Sequence, residues 1–286
     1  MILRFTKTEN NSYIYRNIYR MMHGYLLKEE VTADVRKGVK DGKTYAIKKV
    51  QEWEYAYYEK WIWKEVKNID IQIWSLMNYE EERLTSYLAL PWIHGWNLDQ
   101  YQKSSNRWKE YSRLVDDLVS GILQLFKHDI VHQDVKPANV MWDNEAMCFK
   151  LIDFGLACFR KDEEYWSFGT PIVSSPEMKS LKMKKEWLIP HDIWSIGCTL
   201  FTWFCFGFNY NTDDVDFVQY FPDHKQFYME YFDKCDPHLY SFLMILFQHD
   251  PVVRQKLFFK YVDVSNICNV GISCNICNVT PTWFLP

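Results

Sequence analysis

The spacing of apolar residues changes near residue 91, and this change limits the chain to folds that combine a sheet with a mainly helical part. Ahead of that point, β-branched and aromatic runs at 44–50, 69–77 and 84–90 are separated by charged or glycine-containing turns. Such runs are typical of antiparallel strands. Lys-Gly at 37–38 and Asp-Gly at 41–42 are dipeptides expected at hairpin turns. The first third of the chain is therefore predicted to form a small sheet.

One helix is predicted within this sheet region. Residues 51–67 contain no glycine or proline, and Tyr55, Glu59, Ile62 and Val66 recur at the spacing of one helical face. A carboxylate on an apolar face is costly unless an opposite charge meets it. Glu59 is therefore predicted to have a basic partner.

The remainder of the chain is predicted to be mainly helical. A segment from residue 108 to about 128 carries its leucines and isoleucine on one side, and short strands are expected near 140–142 and 148–152. A strand-rich first third followed by a helix-rich remainder indicates the α+β class. It also predicts two lobes with a boundary near residues 91–95.

The charge balance and cysteine usage exclude several classes of protein. The chain has 33 Lys+Arg against 37 Asp+Glu, whereas a protein built to bind nucleic acid needs a strongly basic face. The cysteines read as reduced thiols, and the N-terminus has charges where a signal peptide needs an apolar run. The uncharged run 193–208 is shorter than the ~20 residues of a membrane span. We expect a cytoplasmic or otherwise intracellular protein with no nucleic-acid partner and no membrane span.

The polar residues of 131–140 indicate where the chemistry lies. The sequence Val-His-Gln-Asp-Val-Lys-Pro-Ala-Asn-Val places Asp134, Lys136 and Asn139 in one loop between a predicted helix and a predicted strand. Asp153 follows at the start of Asp-Phe-Gly, at the end of the next strand. Asn139 and Asp153 together offer the oxygen ligands that Mg²⁺ prefers when it also holds phosphate oxygens.

At this spacing the two motifs resemble the catalytic loop and metal-binding segment of the eukaryotic-type Ser/Thr protein kinases. Other segments are similar to that family in the same order: Ala-Ile-Lys at 46–48, Gly-Thr-Pro and Ser-Pro-Glu within 169–177, and the arginine Arg254. In this family that arginine pairs with the glutamate at the position of Glu177. The resemblance implies a two-lobed protein kinase fold, with a small antiparallel sheet lobe plus one helix and a larger mainly helical lobe.

The resemblance also suggests domain limits. We expect an N-terminal extension at 1–22, a kinase domain at 23–260 and a Cys/Asn-containing tail at 261–286. Within the kinase domain, the small lobe is predicted to cover 23–91 and the large lobe 92–260.

By the same resemblance, the family's catalytic roles fall on matching positions. Asp134 would accept the proton of a Ser or Thr hydroxyl, and Lys136 would neutralise charge on the transferring γ-phosphoryl group. Lys48 would clamp the ATP phosphates and pair with a helix glutamate, for which Glu59 is the first choice and Glu65 and Glu54 are alternatives. The expected cofactors are ATP and Mg²⁺, and the expected partner is a protein substrate with a Ser/Thr acceptor.

Nucleotide contacts are expected from apolar positions, because a flat base needs a dry slot. They are Val31, Ala46, Leu90 as gatekeeper, Ile93 through its backbone, and Met141. The glycine-rich loop is predicted at 24–31, where Gly24 and Val31 keep the family's residues and Leu26 and Glu29 replace glycines. Without those glycines, backbone amides approach phosphates less closely.

Gln133 is a second departure from the family, which usually has arginine beside the catalytic aspartate. That arginine binds an activation-loop phosphate. We therefore predict activity that does not depend on phosphorylation of the loop. Asp162, Glu163 and Glu164 could mimic a phosphate in part, but a solvated acidic turn is the preferred interpretation.

Two other functions remain open at this stage. The missing glycines, Glu29 and Gln133 are compatible with a pseudokinase-like binding or scaffold module that has weak or absent catalysis. A small-molecule phosphotransferase shares the His-x-Asp-x-x-x-x-Asn loop, but that group lacks the segment represented here by Thr170, Glu177 and Arg254.

Overall fold

A computed structural model gives the fold of the chain. It describes residues 21–22, 24–67, 69, 71–78, 83–100, 111–167, 169–179, 183–205 and 237–267. The chain divides into two compact units, Met1–Ile93 and His94–Pro286. The described residues of the first unit form an antiparallel sheet and one helix, and those of the second are mainly helical. The predicted α+β class with two lobes is therefore confirmed.

The first unit contains one six-stranded sheet. Its strands are β1 Met21–Met22, β2 Tyr25–Glu30, β3 Val35–Lys40, β4 Lys43–Val50, β5 Gln72–Asn78 and β6 Arg83–Pro91. The strand order is β1-β2-β3-β4-β6-β5, and every pair of neighbours is antiparallel. The three strands predicted from apolar runs are present with small shifts at their ends.

The two faces of this sheet carry different side chains. Tyr25, Leu27, Ile47, Trp74 and Ala89 form a buried cluster on one face, where the Tyr25 and Trp74 rings stack with centroids 5.4 Å apart. Successive side chains of a strand point to opposite faces. The residues on either side of Ile47 in β4 therefore project from the other face, and one of them is the lysine of the Ala-Ile-Lys sequence.

The two predicted hairpin turns have different outcomes. Asp41 and Gly42 join β3 to β4 with φ of 50° and 73°, as a two-residue hairpin requires. The prediction of a turn at Lys-Gly 37–38 is wrong, because both residues lie inside β3. Gly38 serves packing instead, since a Cβ there would lie 2.7 Å from Ile47 Cγ1.

Helix α1, Trp53–Lys67, follows β4 as predicted, but its buried face differs from the predicted one. The buried residues are Ala56, Glu59, Ile62 and Trp63. Tyr55 is 41% exposed, so its assignment to the buried stripe is wrong. The i, i+4 spacing fits Tyr55 as well as it fits the buried residues. The small residue Ala56 is the one that packs closely in the structure.

The second unit is built on long helices. Those among the described residues are α2 Tyr111–Lys127, α3 Lys185–Cys205, α4 Pro237–Leu246 and α5 Pro251–Ile267. The described strands of this unit are short, namely β7 Gly95–Asn97, β8 Ile130–Val131, β9 Val140–Asp143, β10 Cys148–Leu151 and β11 Cys158–Phe159. The leucine and isoleucine stripe predicted for α2 is fully buried, and the strands predicted near 140 and 150 are β9 and β10.

The described part of α3 confirms the prediction of a buried core helix for the uncharged run that begins at residue 193. Residues 191–203 are all buried. Among the described residues, no helix is long and apolar enough to cross a membrane. At the other end of the unit, α5 continues beyond residue 260. Most of the predicted extension at 1–22 and of the predicted tail at 261–286 lies outside the described residues.

Candidate active site

A carboxylate of helix α3 holds the backbone of the loop that carries Asp134. The Asp192 carboxylate accepts hydrogen bonds from the backbone N–H of His132 at 2.7 Å and of Gln133 at 2.8 Å. Burial raises the pKa of Asp192 to about 7, while the two backbone donors oppose that rise. These two bonds satisfy buried donors of a loop that has no regular structure. The loop therefore has a defined backbone position beneath its functional side chains.

Asp134, Lys136 and Thr170 form a compact polar cluster. Asp134 Oδ1 accepts hydrogen bonds from Thr170 Oγ1 at 2.6 Å and from Thr170 N at 3.2 Å. Lys136 Nζ lies 2.8 Å from Asp134 Oδ2 and 2.8 Å from Thr170 Oγ1. Asp134 is 7% exposed. The cluster offers a carboxylate that can accept a proton next to a cation that can neutralise a transferring anion.

Asn139 orients the same carboxylate from its other side. Its Nδ2 donates to Asp134 Oδ2 at 3.0 Å and to the Asp134 backbone carbonyl at 2.9 Å. Both donor bonds therefore go to Asp134, which leaves the amide oxygen Oδ1 as the group that Asn139 can offer a cation.

Asp153 is connected to Asn139 through the backbone. The Ile152 N–H donates to the Asn139 carbonyl at 2.9 Å. Asp153 itself has φ of 61°, and its Oδ1 accepts the Gly155 N–H at 3.1 Å. The described residues contain no group of three or more His, Cys, Asp or Glu side chains that could hold a metal ion. One amide and one carboxylate nevertheless fit Mg²⁺, which commonly keeps water and phosphate oxygens as its other ligands.

His132 has a structural position. It is fully buried, its Nε2 lies 3.1 Å from the Ile152 carbonyl, and its Nδ1 accepts the Asp134 N–H at 3.3 Å. Burial lowers the pKa of His132. One ring nitrogen donates and the other accepts, which is the pattern of a neutral imidazole.

In the first unit, Lys48 contacts the glutamate preferred from the sequence. Lys48 Nζ lies 2.7 Å from Glu59 Oε2, and the two side chains are 15% and 1% exposed. Lys48 projects from the sheet face opposite Ile47, toward α1. The alternatives Glu54 and Glu65 are exposed on that helix. The predicted pairing is thus present, while the catalytic roles of both residues remain predictions.

Most of the predicted adenine contacts belong to the first unit. In the first unit, Ala46 on β4 pairs in register with Leu90 on β6, so both point to the same sheet face as Lys48. Ile93 is half-buried just after β6. In the second unit, Met141 lies on β9 between Asn97 and Lys150 of the neighbouring strands and is half-buried.

The predicted glycine-rich loop at 24–31 is wrong in its position. Residues 25–30 form β2, the turn to β3 is at 31–34, and Gly24 lies at the opposite end of β2. Six strand residues span roughly 20 Å, so Gly24 and the 47%-exposed Val31 do not share one loop. The prediction relied on a single glycine, whereas the sequence that follows it, Tyr25-Leu-Leu, favours a strand. The turn at 31–34 contains no glycine.

Glu177 and Arg254 form the predicted pair. Their side chains are joined by an ion pair and are 6% and 0% exposed. Burial raises the pKa of Glu177, and Arg254 opposes that rise. Arg254 Nε also donates to the Pro190 carbonyl at 2.9 Å. The arginine therefore connects the 176–179 turn to α3 and α5.

Sequence reasoning missed several contacts in the second unit. Thr170 belongs to the Gly-Thr-Pro motif, but that motif does not predict its bonds to Asp134. The buried His191 ring, which lies 3.3 Å from Ser175 Oγ and 3.4 Å from the Gln133 carbonyl, had no pattern that singled it out. These partners are far apart in sequence, so only the folded backbone brings them together.

Comparison with known proteins agrees with this geometry. A family model described as the protein kinase domain matches residues 31–258. Serine/threonine-protein kinase PLK4 of Drosophila sechellia and that of Drosophila yakuba are each 35% identical over 122 residues. Each match covers 41% of this chain and 15% of the relative, so the chain aligns with only a small part of those proteins. The resemblance to the protein kinases inferred from the sequence is confirmed by the family match.

Proposed function

This chain belongs to the protein kinase family, and from that premise we propose that it transfers the γ-phosphoryl group of ATP to serine and threonine hydroxyls of protein substrates. The observation that carries the proposal is the cluster of Asp134, Lys136 and Thr170. The Asp134 carboxylate has a fixed direction, because the Thr170 hydroxyl, the Lys136 ammonium group and the Asn139 amide all contact it. Proton acceptors in phosphoryl transfer act mainly through such positioning.

Four residues would have separate roles in the reaction. Asp134 accepts the hydroxyl proton of the substrate, and Lys136 stabilises negative charge on the transferring group. Asn139 and Asp153 would hold Mg²⁺, which when bound neutralises charge on the ATP phosphates. The serine or threonine specificity is supported by Lys136, whose position the resemblance associates with that class.

Lys48, oriented by Glu59, would bind ATP phosphates. The proposed adenine contacts are Ala46, Leu90, Ile93 and Met141. The proposed kinase domain covers 23–260, and the family match at 31–258 supports it. An intracellular setting is proposed as well, because Cys148 and Cys158 are thiols outside any disulfide.

We also propose that this activity does not require phosphorylation of the activation segment. Gln133 has no charge with which to bind a phosphate. Glu163 and Glu164 are exposed, which favours a solvated acidic turn over a phosphate mimic.

A second candidate function is a pseudokinase-like binding module. It is favoured by the turn at 31–34, which has no glycine to let backbone amides approach a phosphate, and by Glu29 and Glu30, which add negative charge to the same hairpin. Glu29 is held by Lys37 at 3.2 Å and Glu30 by Arg36 at 3.0 Å, so part of this charge is compensated.

One assay distinguishes the two functions. The protein is incubated with Mg²⁺ and γ-labelled ATP, with and without a generic Ser/Thr protein substrate, beside Lys48→Met and Asp153→Asn variants. Lys49→Met and Asp263→Asn are matched controls at exposed positions. We expect transfer by the wild type and both controls and none by the two site variants. An absence of transfer by the wild type would favour the binding module, and stabilisation by Mg·ATP would then show whether nucleotide still binds.

A further inference from the structure

The side chain of Gln133 is fully buried and connects the catalytic loop to the segment that follows Asp-Phe-Gly. Its Nε2 donates to the Leu156 carbonyl and to the Tyr165 carbonyl at 3.1 Å, and lies 3.2 Å from Cys158 Sγ. Its Oε1 accepts the Ser167 N–H at 2.7 Å. One neutral side chain thus holds four positions along 156–167.

The partners of this side chain require an amide. A primary amide has an acceptor at one atom and two N–H donors at the other. The donors face two carbonyl oxygens and a sulfur atom, while the oxygen faces an N–H. An amide turned the other way would place its oxygen against carbonyl oxygens, so the partners fix the orientation. A carboxylate of the same shape would have no donor for Leu156 or Tyr165.

The backbone of Gln133 is matched to the same segment. Its φ of 64° is uncommon for a residue other than glycine, and its carbonyl packs against Gly169. A Cβ on Gly169 would lie 2.1 Å from that carbonyl oxygen, and Gly169 itself has φ of 63°. The side chain of Gln133 therefore holds Ser167, and its backbone carbonyl packs against Gly169, which precedes Thr170.

Thr170 connects this arrangement to the proton acceptor. Its hydroxyl and N–H both donate to Asp134, and Ser167, whose N–H Gln133 accepts, lies three residues before it. Ser167 is therefore bonded to Gln133, and Thr170 is bonded to Asp134, which is next to Gln133 in sequence. Movement at Ser167 would displace the Thr170 hydroxyl from the Asp134 carboxylate.

Other contacts hold the beginning of the segment in the same place without a phosphate. Strand β11 pairs with β8, which leads into the catalytic loop. Arg160 Nε donates to Asp129 Oδ1 at 2.6 Å, and the Arg160 N–H donates to the Asp129 carbonyl at 2.9 Å. The segment is thus held by side chains present in the unmodified protein.

We propose that Gln133 is a positioning residue whose neutral amide holds residues 156–167 in the conformation that orients Asp134, in place of a phosphate bound by a basic side chain. The inference rests on the proposed kinase activity and adds to it the residue that makes phosphorylation unnecessary. Gln133 contacts neither the substrate nor the reacting atoms in this proposal. It acts through Ser167, Gly169 and Thr170.

The test compares Gln133→Gly and Gln133→Glu with the wild type in the full chain. Glycine accepts the positive φ without strain and removes the amide, whereas glutamate keeps the shape and removes the donors. Gln124→Glu on the exposed side of α2 is the matched control. The readouts are kcat for a protein substrate, KM for ATP, and the rate of trypsin cleavage after Arg160 and Lys161. The wild type is also assayed after treatment with a broad phosphatase.

We expect both Gln133 variants to lose about 10- to 100-fold in kcat while KM for ATP changes less than about twofold, since a misplaced acceptor costs rate rather than nucleotide binding. Trypsin should cleave both variants faster than the wild type and the control. Phosphatase treatment should leave wild-type activity unchanged.

Wild-type kcat and cleavage rates in both variants would overturn the proposal, and so would loss of wild-type activity after phosphatase treatment. If the wild type transfers no phosphate, the proposed function fails, and the trypsin comparison alone then decides whether the amide holds the segment.

Discussion

The buried His191 should make the second unit less stable in mild acid, by an amount that the structure allows to be worked out. The ring is fully buried on α3, between Ser175 and the Gln133 carbonyl. The pKa of His191 is lowered to about 4, mainly by burial. The hydrogen bond to the Gln133 carbonyl opposes this fall in pKa. Of the nearby charges, Arg254 lowers the pKa and Asp134 raises it. The folded chain therefore keeps this imidazole neutral at pH values where the unfolded chain protonates it.

The sign and size of the effect follow from proton linkage. The unfolded histidine binds a proton below pH 6.5 and the folded one below about pH 4, so falling pH favours the unfolded state between these values. From pH 7.5 to pH 4.5 this costs the folded state about 2.5 kcal/mol. Asp192 contributes with the opposite sign, because burial raises its pKa to about 7 and the folded chain binds the extra proton.

A difference measurement isolates the histidine from Asp192. The free energy of unfolding is measured by urea denaturation at several pH values for the wild type and for His191→Gln, in which Asp192 is unchanged. We expect the free energy of the wild type, minus that of the variant, to fall by about 2.5 kcal/mol between pH 7.5 and pH 4.5. Parallel curves for the two proteins would refute the reasoning, because they would mean that burial does not keep His191 neutral.

Three further predictions concern the contacts of the site. Glu59→Gln should lower kcat/KM about 10- to 100-fold by releasing Lys48, whereas exposed Glu65→Gln should not, as steady-state kinetics would show. Thr170→Val should lower kcat by about 10-fold or more because it removes the hydroxyl bonded to the proton acceptor, and Thr170→Ser should restore most of it; equal rates for the two variants would contradict this role. Arg254→Met should reduce stability by about 3–5 kcal/mol because it leaves a buried carboxylate without its cation, which a lowered urea midpoint would report.

The elements that were predictable from the sequence are those encoded by neighbouring residues. Asp41-Gly42 forms a turn because both residues tolerate positive φ, and the α2 stripe is buried because its spacing matches the helical period. Lys37-Gly38 is a similar dipeptide, but Gly38 lies inside a strand. Its lack of a side chain leaves room for Ile47 of the neighbouring strand. Local sequence does not distinguish a glycine that turns the chain from one that makes room for a neighbour.

The site shows the same division between local and long-range information. The pairing of Lys48 with Glu59 is predictable from the sequence, because a buried carboxylate requires a cation. The Gln133 amide was read only as a missing charge, since its partners between residues 156 and 167 become neighbours only in the fold. Gly24 was placed in the wrong loop because one glycine outweighed the strand pattern that follows it.

The central claim is that the Asp134 carboxylate accepts the proton of a Ser or Thr hydroxyl during phosphoryl transfer. The most direct measurement is the rate at which the wild type and Asp134→Asn form phosphoserine and phosphothreonine on a protein substrate with Mg·ATP, with exposed Asp263→Asn as the control. We predict a loss of about 10²- to 10⁴-fold in Asp134→Asn, with the control at the wild-type rate. Equal rates in wild type and Asp134→Asn would contradict the account.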